Sequence, residues 1–284
     1  MRKYSNLKLR GILLLFLFVF LTLSEGFGQN STIKKDMLKV NFLSLDLKVL
    51  TSGNKIDSDG IIRKYNSPVI HLFRTKVKLV KGTVMLLPGG GYGILSAIAE
   101  GEYTAQFFND QGYDVALLEY HIASGPETRD LALADALKTF RMIKTNPGEL
   151  GLYEGRTGIM GYSAGGHLAA RTVQNLNKNE LPDDLILIYP AYLHETMKGT
   201  TTKTVMPPKE PTGRLFAVIA SNDYNVWVNS CQEYVSMWKE NGGLTTFNLL
   251  PKGGHGFGMA KNPYESAQNW TMLLKSFLDS AINN

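Results

Sequence analysis

Ser163 stands in the run Gly161, Tyr162, Ser163, Ala164, Gly165, a Gly-x-Ser-x-Gly pattern. A continuous apolar stretch at 157–160 precedes it and a helix-like stretch follows. A serine on so tight a turn from strand to helix has a strained backbone, and the positions two before and two after must lack clashing side chains. Gly161 and Gly165 meet that need. The turn also places Ser163 at a helix N-terminus, where free backbone N–H groups and the helix dipole favour a developing anion. A serine hydroxyl becomes a useful nucleophile only beside a base, and the base needs an acid to hold its tautomer. His255 lies in Gly253, Gly254, His255, Gly256, Phe257, Gly258, a flexible run just past the apolar stretch 246–250. Asp223 follows the stretch 215–220 and precedes a helix-like segment from about residue 226. Ser163 as nucleophile, His255 as base and Asp223 as orienting acid would together perform acyl transfer. The competing readings are a glycine-rich turn whose serine merely caps the helix, and an aspartate that acts as an N-cap.

A second feature is Pro88, Gly89, Gly90, Gly91, Tyr92, directly after the apolar stretch 83–87. Successive glycines let backbone amides turn toward an oxyanion, so the expected donors are Ala164 and one of Gly90, Gly91 or Tyr92. A phosphate-cradling loop fits less well, because neither a Lys-Ser/Thr pair nor a Gly-x-Gly-x-x-Gly spacing is present. Glu100, Glu102 and Tyr92 are candidates to line a substrate pocket, and His121, past the stretch 114–119, is a candidate substrate contact. His167, four residues beyond Ser163 on the same helix, is expected to pack beneath the turn. Asp130 and Asp135 are expected on a solvent-facing helix surface, and Trp227, Trp238 and Trp270 in the core. The histidines are scattered and no cysteine pair exists, so no metal and no cofactor is expected.

The elements that must position these groups follow from the pattern of apolar residues. Strand-like runs at 43–50 and 69–74 suit an opening antiparallel hairpin or two. From residue 83 onward, short apolar runs at 83–87, 114–119, 157–160, 185–189, 215–220 and 246–250 lack alternation, as expected for a parallel sheet covered on both faces. Helix-like segments at 102–111, 130–144, 164–177, 226–241 and 264–281 separate them. Alternating strands and helices predict a doubly wound, mostly parallel sheet in a three-layer αβα sandwich. In such a sheet the reacting groups belong at the carboxyl ends of the strands. The segment 191–213, rich in Thr, Lys and Pro, is long for a simple connection and suits a small cap.

The chain has 284 residues, 44% hydrophobic and 19% charged, which places it in the globular class with one sizeable core. Arg2, Lys3, Lys8 and Arg10 precede an apolar run at 12–23, and Gly26 and Gly28 follow. That order is expected of a secretory signal peptide at 1–28, leaving a single catalytic domain at 29–284 and an exported protein. Without that leader the formal charge falls from +5 to +2. No basic tract suited to nucleic acid is then present, and no stable membrane association is expected after cleavage. Cys231 is the sole cysteine, so no intramolecular disulfide can form.

Pro-Gly-Gly-Gly-Tyr, Gly-Tyr-Ser-Ala-Gly-Gly-His, Ser-Asn-Asp before a helix and Gly-Gly-His-Gly-Phe-Gly together resemble the acetyl-esterase and acetylxylan-esterase-like branch of the α/β-hydrolases. The resemblance runs from about residue 69 to the C-terminus, and the order Ser163, Asp223, His255 is that superfamily's order. It implies an α/β-hydrolase fold and removal of acetyl or other small acyl groups from a small-molecule or polysaccharide ester. Related lipases carry His-Gly-Gly-Gly in the first loop, where this chain has Pro88, a departure toward carbohydrate esterases and peptidases. Two rival readings share these motifs. Prolyl-oligopeptidase-type peptidases have the same triad order but carry a large propeller or cap, for which residues 29–284 leave little room. A binding protein on an inactive hydrolase scaffold would not need the intact triad and glycine loop.

Overall fold

A computed structural model describes residues 54–195, 203–259 and 264–281. The expected leader at 1–28 and the strand-like run 43–50 lie outside the described residues. In chain order the elements are β1 (Ile61–Ile62), β2 (Val69–Phe73), β3 (Gly82–Leu87), β4 (Leu95–Ser96), a π-helical turn (Ala97–Glu102), α1 (Tyr103–Asp110), β5 (Tyr113–Glu119), α2 (Thr128–Thr145), β6 (Thr157–Tyr162) and α3 (Ala164–Gln174). They continue with β7 (Asp184–Ile188), β8 (His194–Glu195), β9 (Lys203–Thr204), β10 (Arg214–Ala220), α4 (Asn225–Glu240), β11 (Leu244–Leu250), α5 (Glu265–Gln268) and α6 (Trp270–Ser280).

Seven strands form one sheet in the order β11-β10-β7-β6-β3-β5-β2. All neighbours are parallel except β2, which runs antiparallel to β5 at one edge. Every residue of β3, β5, β6 and β7 is buried, whereas β2 alternates and β11 is largely open along its length. That difference follows from position: interior strands are covered by helices on both faces, and the two edges are not. α2 stops at Thr145, ahead of Pro147, whose ring disfavours helical backbone in the residue before it.

From β3 the chain steps outward to β5, with the earlier strand β2 beyond it at that edge, and then crosses back to β6 and winds outward the other way through β7, β10 and β11. The reversal between β3 and β6 is the switch point at which such a sheet opens a crevice beyond its strand ends. Ser163 follows β6 and the glycine loop follows β3, on the two sides of that point. Asp223 and His255 follow β10 and β11.

Part of the segment 191–213 forms a small antiparallel ribbon, with His194 opposite Thr204 and Glu195 opposite Lys203. Its residues 196–202 lie outside the described residues.

Candidate active site

The turn after β6 is built by exclusion of side chains. A Cβ on Gly161 would lie 2.1 Å from the Gly165 carbonyl oxygen, and a Cβ on Gly165 would lie 2.1 Å from the Leu87 carbonyl oxygen. Nothing larger than glycine fits at either place. Ser163 itself takes φ 50° and ψ −116°, a strained conformation that over-determined turns hold at functional sites. Three backbone bonds keep it there: its N–H donates to Ile188, and its carbonyl accepts from His167 and Ala191. The Ser163 hydroxyl makes no capping bond to α3. It lies instead 2.7 Å from His255 Nε2.

The other imidazole nitrogen, His255 Nδ1, lies 2.8 Å from Asp223 Oδ2. The second oxygen of Asp223 accepts the N–H of Tyr224 at 2.6 Å, which fixes the carboxylate plane. Tyr224, not Asp223, occupies the N-cap position of α4. The structure thus brings Ser163, His255 and Asp223 into one hydrogen-bonded line, from a half-buried serine to a buried carboxylate. A neutral imidazole with Nδ1–H donated to Asp223 leaves Nε2 free to accept the serine proton.

The loop carrying His255 is held from two sides. Asn222 Oδ1 accepts the N–H groups of both Gly253 and Gly254 at 2.9 Å. Beyond the histidine, Gly258 donates its N–H to the Tyr189 hydroxyl at 3.0 Å, and its carbonyl accepts the Trp270 indole N–H at 2.8 Å. Phe257 fills the space between, with its ring 4.5 Å from that of Tyr189.

The glycine loop after β3 packs against the Ser163 turn. A Cβ on Gly89 would lie 3.1 Å from the Ser163 Cβ. Gly90, Gly91 and Tyr92 all have positive φ, at 138°, 64° and 66°, and the Gly90 carbonyl accepts the N–H groups of Gly93 and Ile94. Among the described residues, no backbone carbonyl accepts from the amides of Gly90, Gly91 or Tyr92. The loop therefore keeps unspent donors beside the nucleophile turn, as a site for an oxyanion requires. Tyr92 contributes only its backbone to that surface. Its ring is buried and its hydroxyl lies 2.7 Å from His167 Nδ1. His167 packs beneath the turn, where burial, aided by the charges of Arg171 and Arg129, holds its pKa well below the usual histidine value.

Three expectations are corrected. Glu100 does not line a pocket: its buried carboxylate accepts the Gly89 N–H at 2.6 Å and the Tyr189 hydroxyl at 2.7 Å. His121 holds its ring 4.6 Å from that of Tyr65 and donates its backbone N–H to Asp135. The same bond removes Asp135 from the solvent-facing surface, and burial raises its pKa above the ordinary carboxylate range. Trp238 and Trp270 are buried in the core as expected, but Trp227 is not a core residue. It is half-buried with its indole against His255, and Tyr192 and Tyr224 flank it. Sequence reasoning also passed over Tyr189 and Asn222. A usable signal existed for Trp227: it lies in the first turn of a helix that follows a strand, and that turn lies at the crevice rim.

Cys231 is buried, which pushes its thiol up to about 12, so it offers no rival nucleophile. Among the described residues, no three His, Cys, Asp or Glu side chains are grouped to hold a metal ion.

A family described as having the alpha/beta hydrolase fold matches residues 84–212, the stretch that contains the glycine loop and the Ser163 turn. The chain has the α/β-hydrolase fold. Several solved α/β-hydrolases and esterases superpose on it. One, an α/β-hydrolase enzyme from a Medee basin deep-sea metagenome library, has a TM-score of 0.66 at 21% identity, covering 82% of this chain and 98% of the other. An acetyl ester-xyloside bifunctional hydrolase from Caldicellulosiruptor lactoaceticus has a TM-score of 0.64 at 22% identity, covering 77% and 89%. In sequence this chain is similar to an acetylxylan esterase of Xylanibacter ruminicola, 27% identical over 199 residues and 61% of this chain. The match spans 40% of that relative's length.

Proposed function

We propose that this α/β-hydrolase is an exported serine esterase that removes acetyl or other small acyl groups from carbohydrate esters. The observation that carries the reading is the unbroken line from Ser163 Oγ to His255 Nε2 at 2.7 Å and from His255 Nδ1 to Asp223 at 2.8 Å. In the first step Ser163 Oγ attacks the ester carbonyl carbon while His255 Nε2 takes the hydroxyl proton. The carbonyl oxygen becomes an oxyanion, held by the amide of Ala164 and by those of the loop Gly90, Gly91, Tyr92. The C–O bond to the alcohol breaks, and the imidazolium returns its proton to the departing oxygen. A water then attacks the acyl-serine and gives a proton to His255, which passes it to the departing Ser163 Oγ, releasing the carboxylic acid and restoring the free serine.

The sugar substrate is supported by the acetylxylan esterase and acetyl ester-xyloside hydrolase among the similar proteins, and export by the basic, apolar and small residues of 1–28. The exposed ring of Tyr224 and the half-buried ring of Trp227, both against His255, with the half-buried Tyr192 ring packed on Trp227, suit the apolar face of a sugar. Acetate release from a panel of acetylated plant and algal polysaccharides tests this reading. The expected result is release by the wild type and a loss of about 10⁴-fold or more in Ser163→Ala, with folding unchanged. Activity retained in Ser163→Ala, or cleavage of proline-containing peptides without ester hydrolysis, would overturn it.

A further inference from the structure

Glu100 is a buried carboxylate on which, among the described residues, no lysine or arginine acts. Such a group is costly unless its oxygens are fully used. It projects from the π-helical turn Ala97–Glu102 to a point under both halves of the site. Oε2 accepts the Gly89 N–H at 2.6 Å, at the root of the glycine loop. Oε1 accepts the Tyr189 hydroxyl at 2.7 Å, and the Tyr189 oxygen accepts the N–H of Gly258 at 3.0 Å, three residues past His255. The Tyr189 ring meets the imidazole edge to face, with centroids 5.1 Å apart. Tyr189 takes φ 38°, an unfavourable conformation for a tyrosine, so the fold spends strain to aim this side chain.

The hydrogen-bond donors and acceptors around Glu100 match its ionised form. Gly89 N–H, Tyr189 O–H and Gly258 N–H are three donors, and an ionised Glu100 with the Tyr189 oxygen gives each one an acceptor. A protonated Glu100 would have to donate to Tyr189, leaving the phenol hydrogen without a partner. Burial pushes the carboxyl above the ordinary range, while Tyr189, Gly89 and the charge of His255 draw it back. The titratable groups facing it are the hydroxyls of Tyr120, Tyr162 and Tyr189, and the imidazole of His255.

We propose that Glu100 is a positioning residue of this site, tying the glycine loop to the His255 loop through Gly89 and Tyr189. Its negative charge supplements Asp223 in stabilising the imidazolium that forms when Ser163 gives up its proton. The inference rests on the serine esterase reading above. Glu100 touches no substrate; it sets the separation of oxyanion donors and base, and biases the proton on the base.

The test compares wild type, Glu100→Gln and Tyr189→Phe in hydrolysis of p-nitrophenyl acetate across pH, with melting temperature and fluorophosphonate labelling measured on each. A glutamine can accept from only one of Gly89 and Tyr189; its amide N–H faces the other, opposing the Gly89 donor or leaving the phenol hydrogen without a partner. Glu100→Gln is expected to lower kcat by about 10- to 100-fold, with KM within about threefold. The acidic limb of its pH–rate profile is expected to move down by about half a unit, because a lost negative charge makes the imidazole less basic. Tyr189→Phe, which keeps the carboxylate, is expected to lower kcat by about tenfold and leave the acidic limb in place. Wild-type kcat in either variant would overturn the tie between the loops. A slow Glu100→Gln enzyme with an unmoved acidic limb would overturn the charge role. If Glu100→Gln does not fold, Tyr189→Phe alone decides the tie. An active Ser163→Ala enzyme would overturn the esterase reading instead, so the two failures are distinguishable.

Discussion

The indole of Trp227 lies against the imidazole of His255, with ring centroids 4.5 Å apart and planes inclined by 52°. Tyr224 braces the same indole at 4.5 Å and Tyr192 at 5.6 Å. The imidazole is thus bounded by Trp227 on one side and by the Tyr189 ring, 5.1 Å away, on another. Asp223 fixes the ring by a hydrogen bond, and these aromatic contacts limit its rotation about that bond. An imidazole that must meet both a serine proton and a leaving oxygen benefits from such restriction, because misplacement costs rate steeply.

Trp227→Ala is expected to lower kcat/KM for p-nitrophenyl acetate by about tenfold, since aromatic pairs of this kind contribute about 0.5–1.5 kcal/mol each. Trp227→Phe restores most of the contact and is expected to recover most of the rate. Steady-state kinetics of the two variants checks this. A Trp227→Ala enzyme with wild-type kcat/KM on acetate and longer acyl esters would remove Trp227 from the site.

Two glycines near the site should respond to an added methyl group by very different amounts. A Cβ at Gly165 meets the carbonyl oxygens of Leu87 and Pro88 at 2.1 and 2.5 Å, both backbone atoms that cannot step aside. Gly93, in the glycine loop, has no heavy atom within 4 Å of its Cβ position. Gly165→Ala is expected to lose at least about 3 kcal/mol of stability, and Gly93→Ala less than about 1 kcal/mol. Urea midpoints measure both, and equal midpoints would contradict the packing argument.

Stability should fall on the acid side through His167. Its folded pKa lies well below the ordinary histidine value of 6.5, for burial opposes its charge. The unfolded chain therefore binds this proton first, so the contribution is complete above about pH 6.5 and is lost as pH falls below it, at up to about 1.4 kcal/mol per unit. His167→Gln can still accept from the Tyr92 hydroxyl but does not titrate. Unfolding free energy measured from about pH 5 to pH 7 is expected to show a shallower slope in the variant. Parallel profiles would show that His167 is not the group that charges.

Most of the frame was legible because it depends on local chemistry. β3, β5, β6, β7 and β10 read as unbroken apolar runs because two helical layers cover them. The glycines at 161 and 165 marked a turn that only small residues can make. β11 ends where the expected run 246–250 ends but begins two residues earlier, and its edge position leaves much of it exposed. Where structure and sequence expectation part, one physical cause recurs. Glu100 sits under two loops rather than in a pocket, Trp227 at the crevice rim rather than in the core, and Asp135 against the His121 backbone rather than on the open surface. Each placement depends on a partner brought in from elsewhere in the chain. Tyr189 lies 89 positions beyond Glu100, and Asp135 14 positions beyond His121.

The sequence alone determined the alternation of strand and helix, the turn that strains Ser163, and the residue types able to move a proton to and from it. Those follow from periodicity, backbone sterics and side-chain chemistry, all of which act over a few residues. Only the tertiary structure decided which way each side chain faces: Glu100 inward under two loops, Trp227 outward against the base, His121 against Tyr65. Burial and partnership are properties of the packed sheet, because strands far apart in the chain end at the same rim and compete for the same hydrogen bonds.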